Sequence, residues 1–244
     1  SYTSNTAITG LTAGTAYKVT LTSVGDASYA DSSASALSGS ISTLSAAAAA
    51  TITNPASVSK TVGDSHIFSA SPTTASDGGS LTYQWESATA ASPSTYSSIT
   101  GATSINYTTP TLAIGDNGSL YRVVVTNAIN GTTTAATSSA ATLTVAKAPL
   151  SAPTAITAST VTGSSTSLKI TFTNASNATS YTARVYLASD GTTLIATATS
   201  YTSNTAITGL SAGTAYKVTL TSIGDASYAD SSASALSGSI STLS

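Results

Sequence analysis

The sequence contains no cysteine and no methionine among its 244 residues. Without cysteine there is no thiol catalysis, no cysteine-ligated metal site and no thiol-based redox switch. The chain also carries no sulfur that oxidises readily. This suits a protein exposed outside a cell, although simple drift in a sequence rich in serine, threonine and alanine explains it equally well.

Charge is also scarce. Lys, Arg, Asp and Glu make up 7% of the chain, against about a quarter in an ordinary globular domain. The net charge of −2 leaves no basic footprint for nucleic acid. No apolar run reaches the roughly 18 residues of a membrane span. Flat, weakly charged surfaces permit lateral contact between copies of the chain, but hydroxyl-rich surfaces are also wet enough to stay apart.

Side chains that carry catalytic chemistry are few: one His, one Glu and eight Asp. We interpret His66 as a surface histidine on a strand, facing away from Phe68. Glu86 follows Trp85, so we expect it on the opposite face of its strand, in solvent and without a second carboxylate for acid–base catalysis. The chain is therefore predicted not to be an enzyme, and to have neither catalytic residues nor a cofactor.

Two pairs of aspartates form weak candidate calcium sites. Asp225 and Asp230 lie in one loop, and Asp26 and Asp31 repeat them. Calcium needs six to eight oxygen ligands, so two carboxylates are a poor start. An ordinary turn with hydrogen-bonding aspartates is the alternative interpretation.

Residues 1–45 and 200–244 are nearly the same sequence twice. Position 200 repeats position 1, and the copies differ only where Thr12 becomes Ser211 and Val24 becomes Ile223. Such similarity at a fixed period is typical of tandem arrays. We therefore expect the chain to be a window from a longer repetitive polypeptide. Residues 1–45 would be a half-unit, completed by a preceding repeat or by strand exchange with another molecule.

Alternating apolar and polar residues predict strands. Tyr216, Val218 and Leu220 alternate with Lys217 and Thr219. This period of two indicates a strand with one solvent-exposed face. Similar short runs, separated by turn residues, occupy Tyr17–Leu21, Tyr121–Thr126, Leu168–Thr173 and Tyr181–Leu187. The predicted fold class is all-β, with tandem antiparallel β-sandwiches.

The predicted organisation has three units and two short linkers. Residues 1–45 are the half-unit, 51–146 one complete unit and 153–244 another, joined by linkers 46–50 and 147–152. The second linker contains Pro149 and adjoins Pro153, which stiffen the chain. Short joints between sandwiches favour a rod.

The last unit resembles a fibronectin type III module. The motif Leu210-Ser-Ala-Gly-Thr-Ala-Tyr216, repeated as Leu11-Thr-Ala-Gly-Thr-Ala-Tyr17, is similar to that family's tyrosine corner. The resemblance implies that the tyrosine ring fills the core while its hydroxyl bonds to backbone. It also implies that Tyr181 is the strand-C tyrosine and that Phe172 replaces the usual strand-B tryptophan.

The middle unit resembles bacterial immunoglobulin-like repeats. Leu81-Thr-Tyr-Gln-Trp85 is similar to strand C with its core tryptophan, and Asp116-Asn-Gly-Ser-Leu-Tyr121-Arg-Val123 to the region before strand F. The resemblance places Val123, and Ala70 or a neighbour, where that family has a disulfide. Plain packing around Trp85 would then replace the bridge.

These resemblances imply a structural role. The leading hypothesis is a segment of a long extracellular, cell-surface protein that forms a stalk, fibre or filament, with other copies of itself as partners. A first alternative is an adhesin that binds carbohydrate or a surface. Exposed tyrosines could stack on sugars, for which the candidates are Tyr96, Tyr107, Tyr201 and Tyr228, although core or rim positions are the favoured interpretation of these residues. A second alternative is a spacer in a secreted polysaccharide-active enzyme.

Overall fold

The structure, a computed structural model, describes residues 5–71 and 73–244 and consists almost entirely of β-strands. The first four residues of the predicted half-unit 1–45 lie outside the described residues. The all-β prediction is confirmed, since one short 3-10 turn, Ile114–Asp116, is the helical element of the described part. No helix in that part has the length and apolar character needed to cross a membrane.

The first copy, residues 5–45, forms a loose hairpin. Its two short strands pair antiparallel, with Ala16 opposite Ser42 and Tyr17 opposite Ile41. The predicted strand Tyr17–Leu21 is therefore wrong in extent. A strand needs a partner along its length, and residues beyond Tyr17 lack a regular one here. The strands are β1 (Ala16–Tyr17) and β2 (Ile41–Ser42).

The strands of the middle unit, residues 51–146, form a β-sandwich. We call it the Ig-like unit below, after the family that its sequence resembles. Its main sheet has the order β4-β12-β10-β7-β8, with β11 also paired to β10. The pairs β3–β6 and β5–β9 lie outside this sheet. The strands are β3 (Thr51–Ile52), β4 (Val58–Thr61), β5 (Ile67–Ser69), β6 (Thr73–Thr74), β7 (Ser80–Ala88), β8 (Ser97–Ser98), β9 (Asn106–Thr108), β10 (Ser119–Ile129), β11 (Thr132–Thr137) and β12 (Ala141–Ala146).

The core of this unit joins the two layers. Trp85 and Val123 face each other across β7 and β10, and both are fully buried. The indole N–H of Trp85 donates to the Ser104 carbonyl at 2.9 Å, which satisfies its one polar atom. Phe68 stacks on Tyr121 with ring centroids 4.6 Å apart.

His66 corrects a prediction. We expected it to face away from Phe68, but residues two apart on a strand share a face. The His66 ring packs edge-on against Phe68, with centroids 4.7 Å apart, and is half-buried. Burial, and after it the charge of Lys60, lower the His66 pKa below its usual range.

The strands of the last unit, residues 153–244, form a second β-sandwich. We call it the fibronectin-like unit below, after the family that its sequence resembles. Three strands, β14-β15-β18, form one sheet and four, β17-β16-β19-β21, form the other. The strands from the second linker onward are β13 (Ala148–Pro149), β14 (Thr154–Thr160), β15 (Leu168–Thr173), β16 (Ser180–Leu187), β17 (Leu194–Ala198), β18 (Ala206–Ile207), β19 (Ala215–Ile223), β20 (Tyr228–Ala229) and β21 (Ile240–Ser241).

Strand β19 lies at the centre of its sheet. Tyr216, Val218 and Leu220 point into the core, as their alternation predicts. The predicted solvent-exposed face is wrong at Thr219, which is buried, as is Thr221 further along the strand, whereas Lys217 is half-buried. A central strand is flanked on both sides, so small outward side chains are covered by their neighbours.

Candidate assembly surfaces

The predicted structural residues of the Ig-like unit meet in one cluster. Trp85, Tyr121 and Val123 belong to the same core as Ala70, which is fully buried. The chain has no thiol, and aromatic and aliphatic side chains pack around Trp85 in this core. Burial raises the pKa of Tyr121 to about 12, consistent with its place in this core.

The predicted structural residues of the fibronectin-like unit also meet. Leu210, Tyr216 and Tyr181 are buried, and the Phe172 ring lies 4.7 Å from that of Tyr181. The Tyr216 hydroxyl accepts a hydrogen bond from the Ser211 N–H at 2.9 Å. This ties the turn before β19 to the strand itself.

The four tyrosines of the adhesin alternative are not freely exposed. Tyr201 is buried and its hydroxyl accepts from the Ile170 N–H, while Tyr107 packs against the Ig-like core. Tyr228 is half-buried in β20. Tyr96 is half-buried beneath the guanidinium of Arg122, whose carbon lies 3.7 Å from the ring centroid. Tyr107 and Tyr201 therefore belong to the cores, and Arg122 covers one face of the Tyr96 ring.

Glu86 has a partner that the sequence pattern did not predict. Its Oε2 lies 2.8 Å from the Nε of Arg122, which is opposite it on β10, and the Glu86 side chain is only 18% exposed. The expectation that Glu86 points into open solvent is therefore wrong. The pair spans two neighbouring strands, where opposite charges attract across the sheet.

The aspartates proposed for calcium bind backbone instead. Asp225 Oδ1 accepts from the N–H groups of Ser227 and Tyr228, and Asp230 Oδ1 accepts from that of Gly224. Asp26 and Asp31 make the same bonds in the first copy. Across the described residues there is no group of three or more His, Cys, Asp or Glu side chains that could hold a metal. This arrangement is that of an ordinary hydrogen-bonded turn.

The first joint, residues 45–50, is held against the Ig-like unit by side chains. The Ala47 N–H donates to Thr132 Oγ1 and its carbonyl accepts from Thr134 Oγ1, each at 2.7 Å. The Ala48 N–H donates to Asp77 at 2.7 Å, and its carbonyl accepts from Asn127 at 2.9 Å. The alanine linker is thus a docked segment rather than a loose tether.

The Asp77 carboxylate is the centre of the contacts that hold Ala48. The Ala48 N–H, the Asn127 amide and the Gly79 N–H all bond to its carboxylate, and together they hold the Asp77 pKa below its usual range. A Cβ at position 79 would lie 2.0 Å from Asn127 Oδ1, so only glycine fits beside this amide. No local sequence signal predicts this clamp on Ala47 and Ala48, because its members are up to 87 positions apart.

The second joint, residues 146–151, is docked on the fibronectin-like unit. β13 pairs in parallel with β20, Ala148 opposite Tyr228 and Pro149 opposite Ala229. The Lys147 ammonium donates to the Asp225 carbonyl at 2.5 Å, and the Ser222 hydroxyl to that of Ser151 at 2.8 Å. On its other side, the Ala146 carbonyl accepts from the Val62 N–H of the Ig-like unit at 3.0 Å.

A ladder of serines fastens the segment after the β20 turn to β19. Ser231, Ser234 and Ser237 each donate a backbone N–H to a β19 carbonyl, and each hydroxyl accepts the N–H of that same β19 residue. Three residues of this segment therefore match two of β19. The same ladder recurs in the first copy at Ser32, Ser35 and Ser38. The spacing of three serines is visible in the sequence and is the signal that indicates this ladder.

The first copy has the local contacts of the second without its cover. Leu21 is 67% exposed, whereas its counterpart Leu220 is fully buried. The open face, as we call it, consists of the counterparts of five core residues, namely Ile8, Leu11, Tyr17, Val19 and Leu21. The predicted structural residues Leu11 and Tyr17 thus lie on this face, and no core encloses them within the described residues.

No protein family and no curated protein matches the sequence. Among solved structures, the chain is similar to the FN1–FN3 domains of chicken CNTN1, with 14% identity, a TM-score of 0.37, and 96% of this chain and 78% of that chain covered. It is also similar to domains A168–A170 of titin, with 16% identity, a TM-score of 0.38, and 86% and 73% covered.

Proposed function

We propose that the chain is a non-catalytic structural segment of a repetitive extracellular surface protein, in which stiff β-sandwich units in series build a stalk, fibre or filament. The observation that carries this proposal is the docking of both linkers. Each joint is hydrogen-bonded to the unit that follows it, so neither behaves as a flexible coil.

The chemistry of the surface is consistent with this role. The described residues contain no metal cluster, the carboxylates in the loops bond to backbone, and Glu86 is paired with Arg122. The four candidate sugar-stacking tyrosines serve the cores, the second joint or an ion pair. A mechanical function needs stable units and stiff joints, and the contacts described above support both.

Pairs of spin labels test the stiffness of the joints. The absence of native cysteine allows labels at Ser33→Cys and Ser92→Cys across the first joint, and at Ser92→Cys and Thr208→Cys across the second. We expect a single narrow distance distribution for each pair. Broad distributions in the otherwise unsubstituted chain would contradict the proposal.

A substitution pair sharpens this test at the first joint. Thr132→Val with Thr134→Val removes both hydroxyls that hold Ala47, while keeping the size and branching of the side chains. Thr133→Val with Thr137→Val is the matched control on the same strand. We expect only the first pair to broaden the distribution across the first joint, and neither to affect the second joint.

Labelling of intact cells tests the location. An antibody raised against the folded chain should label the surface of unbroken cells that produce the protein. Labelling that requires permeabilised cells would contradict an extracellular role.

A further inference from the structure

Comparison of the two copies separates residues that are exposed only in the first copy from residues that are exposed in both. Leu44 is 68% exposed in the first copy, and its counterpart Leu243 is still 41% exposed in the complete unit. Leu21, by contrast, loses all exposure at the equivalent position, Leu220. The open face is thus the part that a complete unit buries, and it is distinct from positions that remain at the surface in both copies.

The backbone beside the open face also lacks its regular partner. In the second copy, β19 pairs with β16 over eight positions, from Tyr216 opposite Leu187 to Ile223 opposite Ser180. In the first copy, the strand pairing found within the described residues is that of β1 with β2 alone. An open strand edge next to an uncovered apolar face is a template for strand addition.

The complete unit shows what covers this face. Residues 149–199 supply β14 to β17, and they bond to the second copy at several points. Thr166 accepts from the Leu210 N–H at 3.0 Å, Ile170 accepts from the Asn204 N–H at 2.8 Å, and Leu168 pairs with Ile207. The second-copy residues in these contacts, Leu210, Asn204 and Ile207, have identical counterparts in the first copy: Leu11, Asn5 and Ile8.

An intact second copy of residues 1–244 cannot cover the open face without uncovering an equivalent face of its own. Residues 1–244 contain two copies of this half, 5–45 and 204–244, and one segment 149–199. A second chain that lent this segment to the first copy would uncover its own residues 204–244. The exchange would replace one buried face by another of the same sequence, and association would cost entropy without a compensating gain.

We infer that the open face of residues 5–45 is a binding site for a polypeptide segment with the sequence of residues 149–199 that is not already folded onto its own partner half. The bound segment adds its β16-like strand to the edge at Tyr17–Val24 and covers the open face, which completes a second fibronectin III-like sandwich. This binding does not depend on the stiffness of the joints, so its failure and that of the proposed function are distinguishable.

Hydrogen exchange of the whole 244-residue chain, with and without a peptide of residues 149–199, tests this site. Fragments Tyr17–Val24 and Tyr216–Ile223 differ by one CH2 at their last residue, so mass spectrometry resolves the two copies. We expect the peptide to slow exchange in Tyr17–Val24 by at least 100-fold, towards the rate in Tyr216–Ile223. A form with residues 149–199 fused ahead of Ser1 should show the same protection, and it removes any limit set by peptide solubility.

Matched substitutions separate specific binding from apolar adhesion. Leu21→Asp places a charge where the complete unit is fully buried, and should abolish the protection. Leu44→Asp, at an equally exposed leucine that stays exposed in the complete unit, should leave it intact. Equal effects of the two, or unchanged exchange in the fused form, would overturn the inference. Protection that rises with the concentration of the unsubstituted chain alone would overturn it in favour of a second copy.

Discussion

Residues 5–45 and 204–244 carry almost the same sequence, and they differ in the properties that depend on distant residues. The turns agree: Asn5 and Asn204 have φ of 71° and 70°, and the Tyr17 and Tyr216 hydroxyls accept the same turn N–H at 2.9 Å. The strands do not agree, since β1 has two residues and β19 has nine. Local sequence therefore sets the turns, whereas strand length and burial require residues 149–199.

Leucine truncation should separate the copies most strongly. Leu220→Ala removes a fully buried side chain and should destabilise the fibronectin-like unit by about 2–5 kcal/mol. Leu21→Ala, at the equivalent exposed position, should change stability by less than about 0.5 kcal/mol. Hydrogen exchange of β19 measures the first effect. Equal effects at the two positions would contradict the conclusion that only the second copy is covered.

The serine ladder should show the same asymmetry on a smaller scale. Ser234→Ala leaves the buried Leu220 N–H without its hydroxyl acceptor and should cost about 1–3 kcal/mol. Ser35→Ala removes the same bond from Leu21, where water can replace the hydroxyl, so we expect less than about 0.5 kcal/mol. Denaturant unfolding of the two variants, followed by exchange in each copy, distinguishes these results. A large cost for Ser35→Ala would show that the first copy is covered.

The turn glycines should behave alike in both copies, which tests the conclusion that local sequence sets the turns. A Cβ at Gly224 would lie 2.1 Å from the Tyr228 carbonyl oxygen, and one at Gly25 would lie 1.9 Å from that of Tyr29. Either Gly→Ala change should therefore distort its own turn, and Gly224→Ala should cost the fibronectin-like unit about 1–3 kcal/mol. Gly238→Ala, where nothing lies within 4 Å, is the control. Amide shifts of the turn residues in NMR spectra report the distortion.

Lowering the pH should affect the first joint and not the second, and this is the smallest of the predicted effects. The Asp77 pKa is lowered because the carboxylate accepts the Ala48 N–H and other donors. A lowered pKa means that this stabilisation is present above the ordinary value of 3.8 and is lost as the pH falls through the folded pKa. The Ala48 amide shift should therefore titrate in this acid range. The Ala148 amide, which bonds to the Ser227 carbonyl, should not.

Several features were predictable because they follow from short-range pattern. The alternation that includes Tyr216 and the family resemblance that includes Trp85 each place a ring inside, and both rings are buried. The clamp on Ala47 and Ala48 was not predictable, since Asp77, Asn127 and Thr134 are remote in sequence. Glu86 was mispredicted for the same reason, because its partner Arg122 lies on another strand. The open face could be anticipated from the duplication, but the positions that stay exposed in both copies could not.

Hydrogen exchange of the unsubstituted chain, compared between Tyr17–Val24 and Tyr216–Ile223, tests most directly whether the first copy is open. These fragments share seven of eight residues, so their intrinsic exchange rates are nearly equal. We expect exchange in the first fragment to be at least 100-fold faster, because residues 149–199 cover only the second. Equal protection of the two fragments would contradict the conclusion that the first copy is open.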